Sequence, residues 1–120
     1  MVLVAVDDLL FSSKIRATAK QVQIEVAFAR TPDEILAQAR ALRPSLIVFD
    51  VNSEKADPIN TVAALKADPE LQAIPTTGFV SHVNTQAILA ARRAGMDEVM
   101  ARSAFAANLP QILTEREPKR

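Results

Sequence analysis

Apolar residues run unbroken through positions 1–6 and again through 46–49. Runs of this kind predict strands covered on both faces, as in the middle of a parallel sheet. Residues 22–28 alternate apolar with mostly polar side chains, which predicts a strand with one more open face, suited to a sheet edge. A fourth strand is predicted from Thr76 to Val80, after Pro75, and a fifth over 97–102. The segments between them carry helix signals. Thr31-Pro32-Asp33-Glu34 is a capping box with Pro at the first helical position, and it predicts a helix with Ile35, Leu36, Ala39 and Leu42 facing inward. Asp57-Pro58 repeats that start ahead of Ile59, Val62, Ala63 and Leu65. Asn84 is placed to cap a helix that turns Ala87, Ile88, Ala91 and Ala94 inward and Arg92 and Arg93 outward, with Gly95 ending it. A last helix is predicted over 104–115, carrying Leu109, Ile112 and Leu113. Strands alternating with helices to the end predict a doubly wound α/β domain with a five-stranded parallel sheet and five helices. It should fill residues 1–115, leaving 116–120 as a charged tail expected to fray.

Composition narrows the function classes. The 120 residues balance 14 basic against 14 acidic side chains, and no basic stripe marks a nucleic-acid surface. Cysteine is absent, which removes disulfides, thiolate metal sites and thiol nucleophiles. With only Gly78 and Gly95, neither a G-x-G-x-x-G turn nor a Walker loop can be built, and no Ser-His-Asp constellation at an elbow is visible. An enzyme or nucleotide binder is therefore disfavoured. No stretch approaches the roughly 20 apolar residues that span a bilayer, and Asp7 and Asp8 interrupt the first apolar run, so a cytoplasmic protein without a membrane association is expected.

The candidate chemistry lies in three carboxylates where strands run out. Asp7 and Asp8 follow the first apolar run, and Asp50 follows Leu46-Ile47-Val48-Phe49. A parallel sheet gathers its ligand site at the carboxyl ends of its strands. If the first and third strands are neighbours, these acids converge. Like charges about 4 Å apart repel by about 1 kcal/mol in water and about 4 kcal/mol at an effective dielectric near 20. A hard divalent cation with oxygen ligands, Mg²⁺ above all, would relieve that repulsion.

The ordered motifs carry a resemblance over almost the whole chain. They are Asp7-Asp8, then Arg43-Pro44-Ser45 leading into Leu46–Asp50, then Leu65-Lys66-Ala67-Asp68-Pro69 through Ile74-Pro75, and last Ala94-Gly95-Met96-Asp97-Glu98-Val99. Together they resemble a bacterial response-regulator receiver domain, the CheY-like phosphoacceptor module. The resemblance implies a flavodoxin-like strand order 2-1-3-4-5 and an aspartyl phosphate formed at Asp50. It also implies Mg²⁺ held by Asp7, Asp8, Asp50 and the backbone carbonyl of Asn52. The implied partners are a histidine kinase or phosphotransfer protein as donor, and a downstream protein or second copy on the fourth-helix, fifth-strand, fifth-helix face. Arg92, Arg93, Arg102, Phe105 and Asn108 are candidates on that face.

The departures from the pattern are specific. The family's Thr or Ser at the end of strand four falls on Val80, which has no hydroxyl. Ser81 follows as a possible substitute, although period-two alternation turns it to the other face. The family's Lys near the end of strand five becomes Arg102, followed by Ser103 in place of Pro, and Arg for Lys is not a conservative exchange. The aromatic switch position falls on Val99, and the loop after Asp50 lacks the family's Met-Pro and Gly signals. His82 is the sole histidine, placed at the rim, while Lys55 and Arg30 read as solvated charges. Two functions follow: an atypical Mg²⁺-dependent phosphoacceptor at Asp50, or a pseudo-receiver that binds partners without phosphorylation.

Overall fold

The computed structural model describes residues 1–81 and 84–117. Its strands are β1 (Val2–Ala5), β2 (Val26–Phe28), β3 (Leu46–Asp50), β4 (Thr76–Val80) and β5 (Glu98–Ala101). They form one parallel sheet in the order β2-β1-β3-β4-β5, as the resemblance implied. The helices are α1 (Leu9–Gln21), α2 (Pro32–Leu42), α3 (Pro58–Ala67), α4 (Thr85–Ala94), α5 (Arg102–Ala107) and α6 (Leu109–Thr114).

Alternation along the central strands divides the core into two layers. Leu3, Ala5, Ile47, Phe49 and Val80 point to one face, where Ile35 and Ala39 of α2, Val62 and Leu65 of α3 and Ala91 of α4 cover them. Val2, Val4, Leu46, Val48 and Phe79 point to the other, against Phe11 and Ile15 of α1 and Phe105, Leu109, Ile112 and Leu113 of α5 and α6. Burial on both faces is why β1 and β3 read as continuous apolar runs. On the second face Phe11, Phe79 and Phe105 form an aromatic trio, with ring centroids 4.9 Å (Phe11–Phe79), 4.9 Å (Phe79–Phe105) and 5.8 Å (Phe11–Phe105) apart. Phe105 is fully buried. It is a core residue and not a docking residue.

Several local expectations are corrected. The last helix is two helices, because Pro110 has no N–H for an i→i−4 bond and its ring would strike the carbonyl of Ala106. Asn108 sits at the break, its N–H donating to Ala104 O and its own carbonyl accepting from Ile112 N. Strand two shrinks to three residues, since Gln23 adopts φ 60° and turns the chain after α1. Leu42 and Ala63, expected inside, are exposed at helix ends and flanks. Asp57 precedes α3 in a left-handed conformation and makes no side-chain cap; its carboxylate instead accepts from Asn60 Nδ2 at 2.9 Å. Asn84 caps α4 as expected, accepting from Gln86 N and Ala87 N. Gly95 ends α4 at φ 111°, where a Cβ would come within 2.7 Å of Lys66 Cγ.

Asp97 stays outside β5 because it is committed elsewhere. Its Oδ2 accepts from Thr76 N at 2.8 Å and Lys66 Nζ at 3.2 Å, tying the starts of β4 and β5 at the end of the sheet away from the acids. At that same end, Arg116 pairs with Glu98 at 2.9 Å. Glu117 pairs with the Met1 ammonium at 2.6 Å and accepts from the Ser45 hydroxyl. Residues 116 and 117 are thus held against the domain. Among the described residues no helix is long and apolar enough to cross a membrane.

Candidate functional site

β1 and β3 are direct neighbours, with Ala5 opposite Phe49, so the residues just past each strand emerge side by side. Asp7, Asp8 and Asp50 line one open cleft of about 460 Å³ at the carboxyl edge of the sheet. Ser53, Glu54 and Lys55, from the loop after β3, complete it. Glu54 and Lys55 were not foreseen there, and Lys55 faces an acidic cleft instead of standing apart as a solvated charge. The only signal in the sequence was their closeness to Asp50.

Each acid has a different environment. Asp8 is the N-cap of α1: its Oδ1 accepts from Phe11 N at 3.1 Å, and its Oδ2 pairs with Arg102 Nη2 at 3.0 Å. The Phe11 N–H, followed by the Arg102 guanidinium, holds the Asp8 carboxyl below its ordinary range. Asp7 faces Arg30 Nε at 3.7 Å, so Arg30 is not simply solvated, although both groups are largely exposed and such a pair is weak. Asp50 is the most buried of the three. Its Oδ1 accepts from Asn52 N at 3.0 Å, and among the described residues no cation lies within ion-pair distance of it. Burial pushes its carboxyl up from 3.8; the Asn52 N–H and Arg102 oppose that push, and the charges of Asp8 and Asp7 add to it.

The upward push on Asp50 makes the stability of the chain depend on pH. In the folded chain Asp50 keeps its proton to higher pH than in the unfolded chain. Its stabilising contribution is therefore present below about 3.8 and lost as pH rises through the higher folded value. Asp50→Asn keeps an oxygen to accept from Asn52 but removes the charge. In chelator without divalent cation, the variant should melt above the parent at neutral pH. The gap should close as pH falls toward 3.8 in paired circular-dichroism melts.

The loops after β3 and β4 are laced together. The Asn52 side chain accepts from Ser81 N at 2.9 Å, a role its sequence position did not signal. Ser81 turns its hydroxyl toward the Arg102 guanidinium, with Nη1 at 3.4 Å. Val80, one residue earlier, points into the layer under α2, α3 and α4 and is buried. It presents no polar atom to the cleft. Arg102 opens α5 instead of ending β5, and its guanidinium carbon lies 4.3 Å over the Phe11 ring. It points toward Asp8 and is not free on the α4–β5–α5 face. On that face Arg92, Arg93 and Asn108 are exposed. His82 lies outside the described residues. At the start of α1, directly after Asp8, Leu9 and Leu10 stand 72% and 86% exposed.

The donors suit a hard cation, being carboxylate oxygens on one cleft with a half-buried acid lacking a cationic partner among the described residues. They are not preassembled. Among the described residues no three acidic or imidazole groups are gathered closely enough to hold an ion as they stand. The commitment of Asp8 to Phe11 and Arg102 is one physical reason.

No protein-family model matches the sequence, and no curated protein matches it. Solved structures do. The phosphorylated cyanobacterial phytochrome response regulator RcpA shares 26% identity at a TM-score of 0.79, over 95% of this chain and 88% of its own. A response regulator from Hahella chejuensis shares 20% at a TM-score of 0.84, over 98% of both chains. The Mn²⁺-bound form of response regulator Rcp1 shares 19% at a TM-score of 0.81, over 99% of this chain and 96% of its own. The chain has the fold of a response-regulator receiver domain, a fold of two-component signalling.

Proposed function

We propose that this chain is an atypical receiver domain that takes a phosphoryl group on Asp50 in a Mg²⁺-dependent reaction. The observation that carries the reading is the cleft itself: Asp50 lies half-buried beside Asp7 and Asp8, on an edge of the sheet where α1 and α5 also begin. Asp7, Asp8, Asp50 and the Asn52 carbonyl would hold the cation, which when bound supplies charge neutralisation and alignment for in-line transfer. The Mn²⁺-bound and phosphorylated relatives support this assignment. Asp50 is the nucleophile, fixed in direction by the Asn52 N–H. Arg102 is the only guanidinium contacting the site from α5 among the described residues, and it stands where the family has Lys. With Val80 buried and apolar, a hydroxyl for the phosphoryl group would come from Ser81, which contacts Arg102, or from Ser53, which lines the cleft.

The donor is a histidine kinase or phosphotransfer protein, and the exposed Leu9 and Leu10 offer it an apolar contact beside the acids. Output passes to a protein partner or second copy on the α4–β5–α5 face, where Arg92, Arg93 and Asn108 are exposed. The domain acts as a non-enzymatic module in the cytoplasm. Val80 favours a second reading, a pseudo-receiver whose partner binding ignores phosphorylation.

Intact mass after incubation with acetyl phosphate tests the proposal. One phosphoryl group should be added with Mg²⁺ and none after chelation. Addition that is indifferent to chelator would exclude the metal-assisted mechanism. No addition from acetyl phosphate or from a phosphorylated kinase, with partner binding unchanged by beryllofluoride, would establish the second reading.

A further inference from the structure

Both carboxylate oxygens of Asp8 are already engaged, one by the Phe11 N–H at 3.1 Å and the other by Arg102 at 3.0 Å. The guanidinium is fixed from three sides, by Asp8, by the Ser81 hydroxyl at 3.4 Å and by the Phe11 ring at 4.3 Å. A lysine could not repeat this. Its ammonium is a strongly hydrated point charge, whereas the planar guanidinium stacks on a ring and forks to two acceptors at once. The Phe11 ring is itself held by Phe79 and Phe105, so the platform under Arg102 is rigid.

We infer that Arg102 is the resident counter-cation of this cleft, which must leave Asp8 before that carboxylate can ligate a divalent ion, and which is thereby released toward Asp50. The inference rests on the metal-dependent phosphoacceptor reading and adds a regulation to it. Two cations cannot share Asp8 without strong repulsion, so metal affinity is lowered by whatever holds Arg102 in place. The same exchange ties the two requirements of the reaction together. The guanidinium becomes free for the phosphoryl charge only when Asp8 has been handed over.

Binding of Mn²⁺ alone, measured by the loss of free-ion electron paramagnetic resonance signal, tests this in the parent, Arg102→Gln and Arg102→Lys. Arg102→Gln should bind on the order of tenfold more tightly, and Arg102→Lys should fall between it and the parent. In a parallel Mg²⁺ titration, the Arg102 side-chain NMR resonances should leave the shielding of the Phe11 ring with the same midpoint as the Asp8 amide shift. Equal or weaker Mn²⁺ binding by Arg102→Gln overturns the exchange while leaving the metal site intact. So do tighter binding and Arg102 resonances that stay put, which would mean a charge effect through space. Failure of both parent and Arg102→Gln to bind Mn²⁺ overturns the metal reading beneath it. Should Arg102→Gln not fold, the resonance titration of the parent decides alone.

Discussion

An Asp50→Asn chain is expected to take up no phosphoryl group from acetyl phosphate and Mg²⁺ under conditions in which the parent takes up one. The parent reaction forms a bond between an Asp50 oxygen and phosphorus as the bond to the acetate oxygen breaks, and acetate leaves with the electron pair. An amide oxygen is a far poorer nucleophile than a carboxylate, yet Asn is nearly the same shape and keeps an acceptor for the Asn52 N–H. Loss of labelling would therefore report chemistry and not misfolding, and the melting curves proposed above would verify the fold. The cleft contains three other carboxylates, Asp7, Asp8 and Glu54, so the experiment has a real alternative to exclude. Asp8 is held in its charged form by Phe11 and Arg102 and is committed to both. Glu54 is exposed on the loop. If Asp50→Asn labels as readily as the parent, the acceptor is one of these and the assignment of Asp50 is wrong.

Phe105→Ala should produce the largest loss of stability of any single change discussed, about 3–5 kcal/mol. The ring is fully buried, stacks on Phe79 at 4.9 Å and lies 5.8 Å from Phe11. Its removal leaves a void between α5, β4 and α1 that those elements cannot close without moving Arg102, which begins the same helix. Against a typical total of about 5–15 kcal/mol, the variant should be marginal. Urea unfolding followed by far-ultraviolet circular dichroism measures this, since the chain has no Trp or Tyr. A loss under about 1 kcal/mol would overturn the anchoring role given to Phe105 in this layer of the core.

The burial of Phe105 follows from helical periodicity alone. Phe105 lies four positions before Leu109, so a helix that buries Leu109 buries Phe105 on the same face. The resemblance points to a docking role for Phe105, whereas the residue's own spacing points to the core. The helix break was legible too, because Pro110 cannot sit in the middle of the predicted 104–115 helix without forfeiting a bond. Gly78 is different. A Cβ there would lie 2.3 Å from Met96 Sδ and 2.7 Å from Val51 Cγ2, a close approach between β4 and its neighbours that no local pattern announces.

The sequence by itself determined the layers of this protein. Strands buried on two faces must be apolar throughout, helix starts need caps, and acids at strand ends of a parallel sheet must share an edge. Those constraints act over a few residues and so can be read locally. The strand order came from the resemblance of ordered motifs, and the fold carries it out. What only the tertiary structure decided is which partner each charge takes. Arg102 is 94 positions from Asp8, and its choice of that carboxylate over Asp50 depends on where the Phe11 ring stands and where Ser81 turns its hydroxyl. Asp50 and Asp8 are the same residue type at the same sheet edge, yet burial raises one and a backbone N–H with a guanidinium lowers the other. Coulomb interactions and desolvation depend on distances through space, and those distances exist only after the chain has folded.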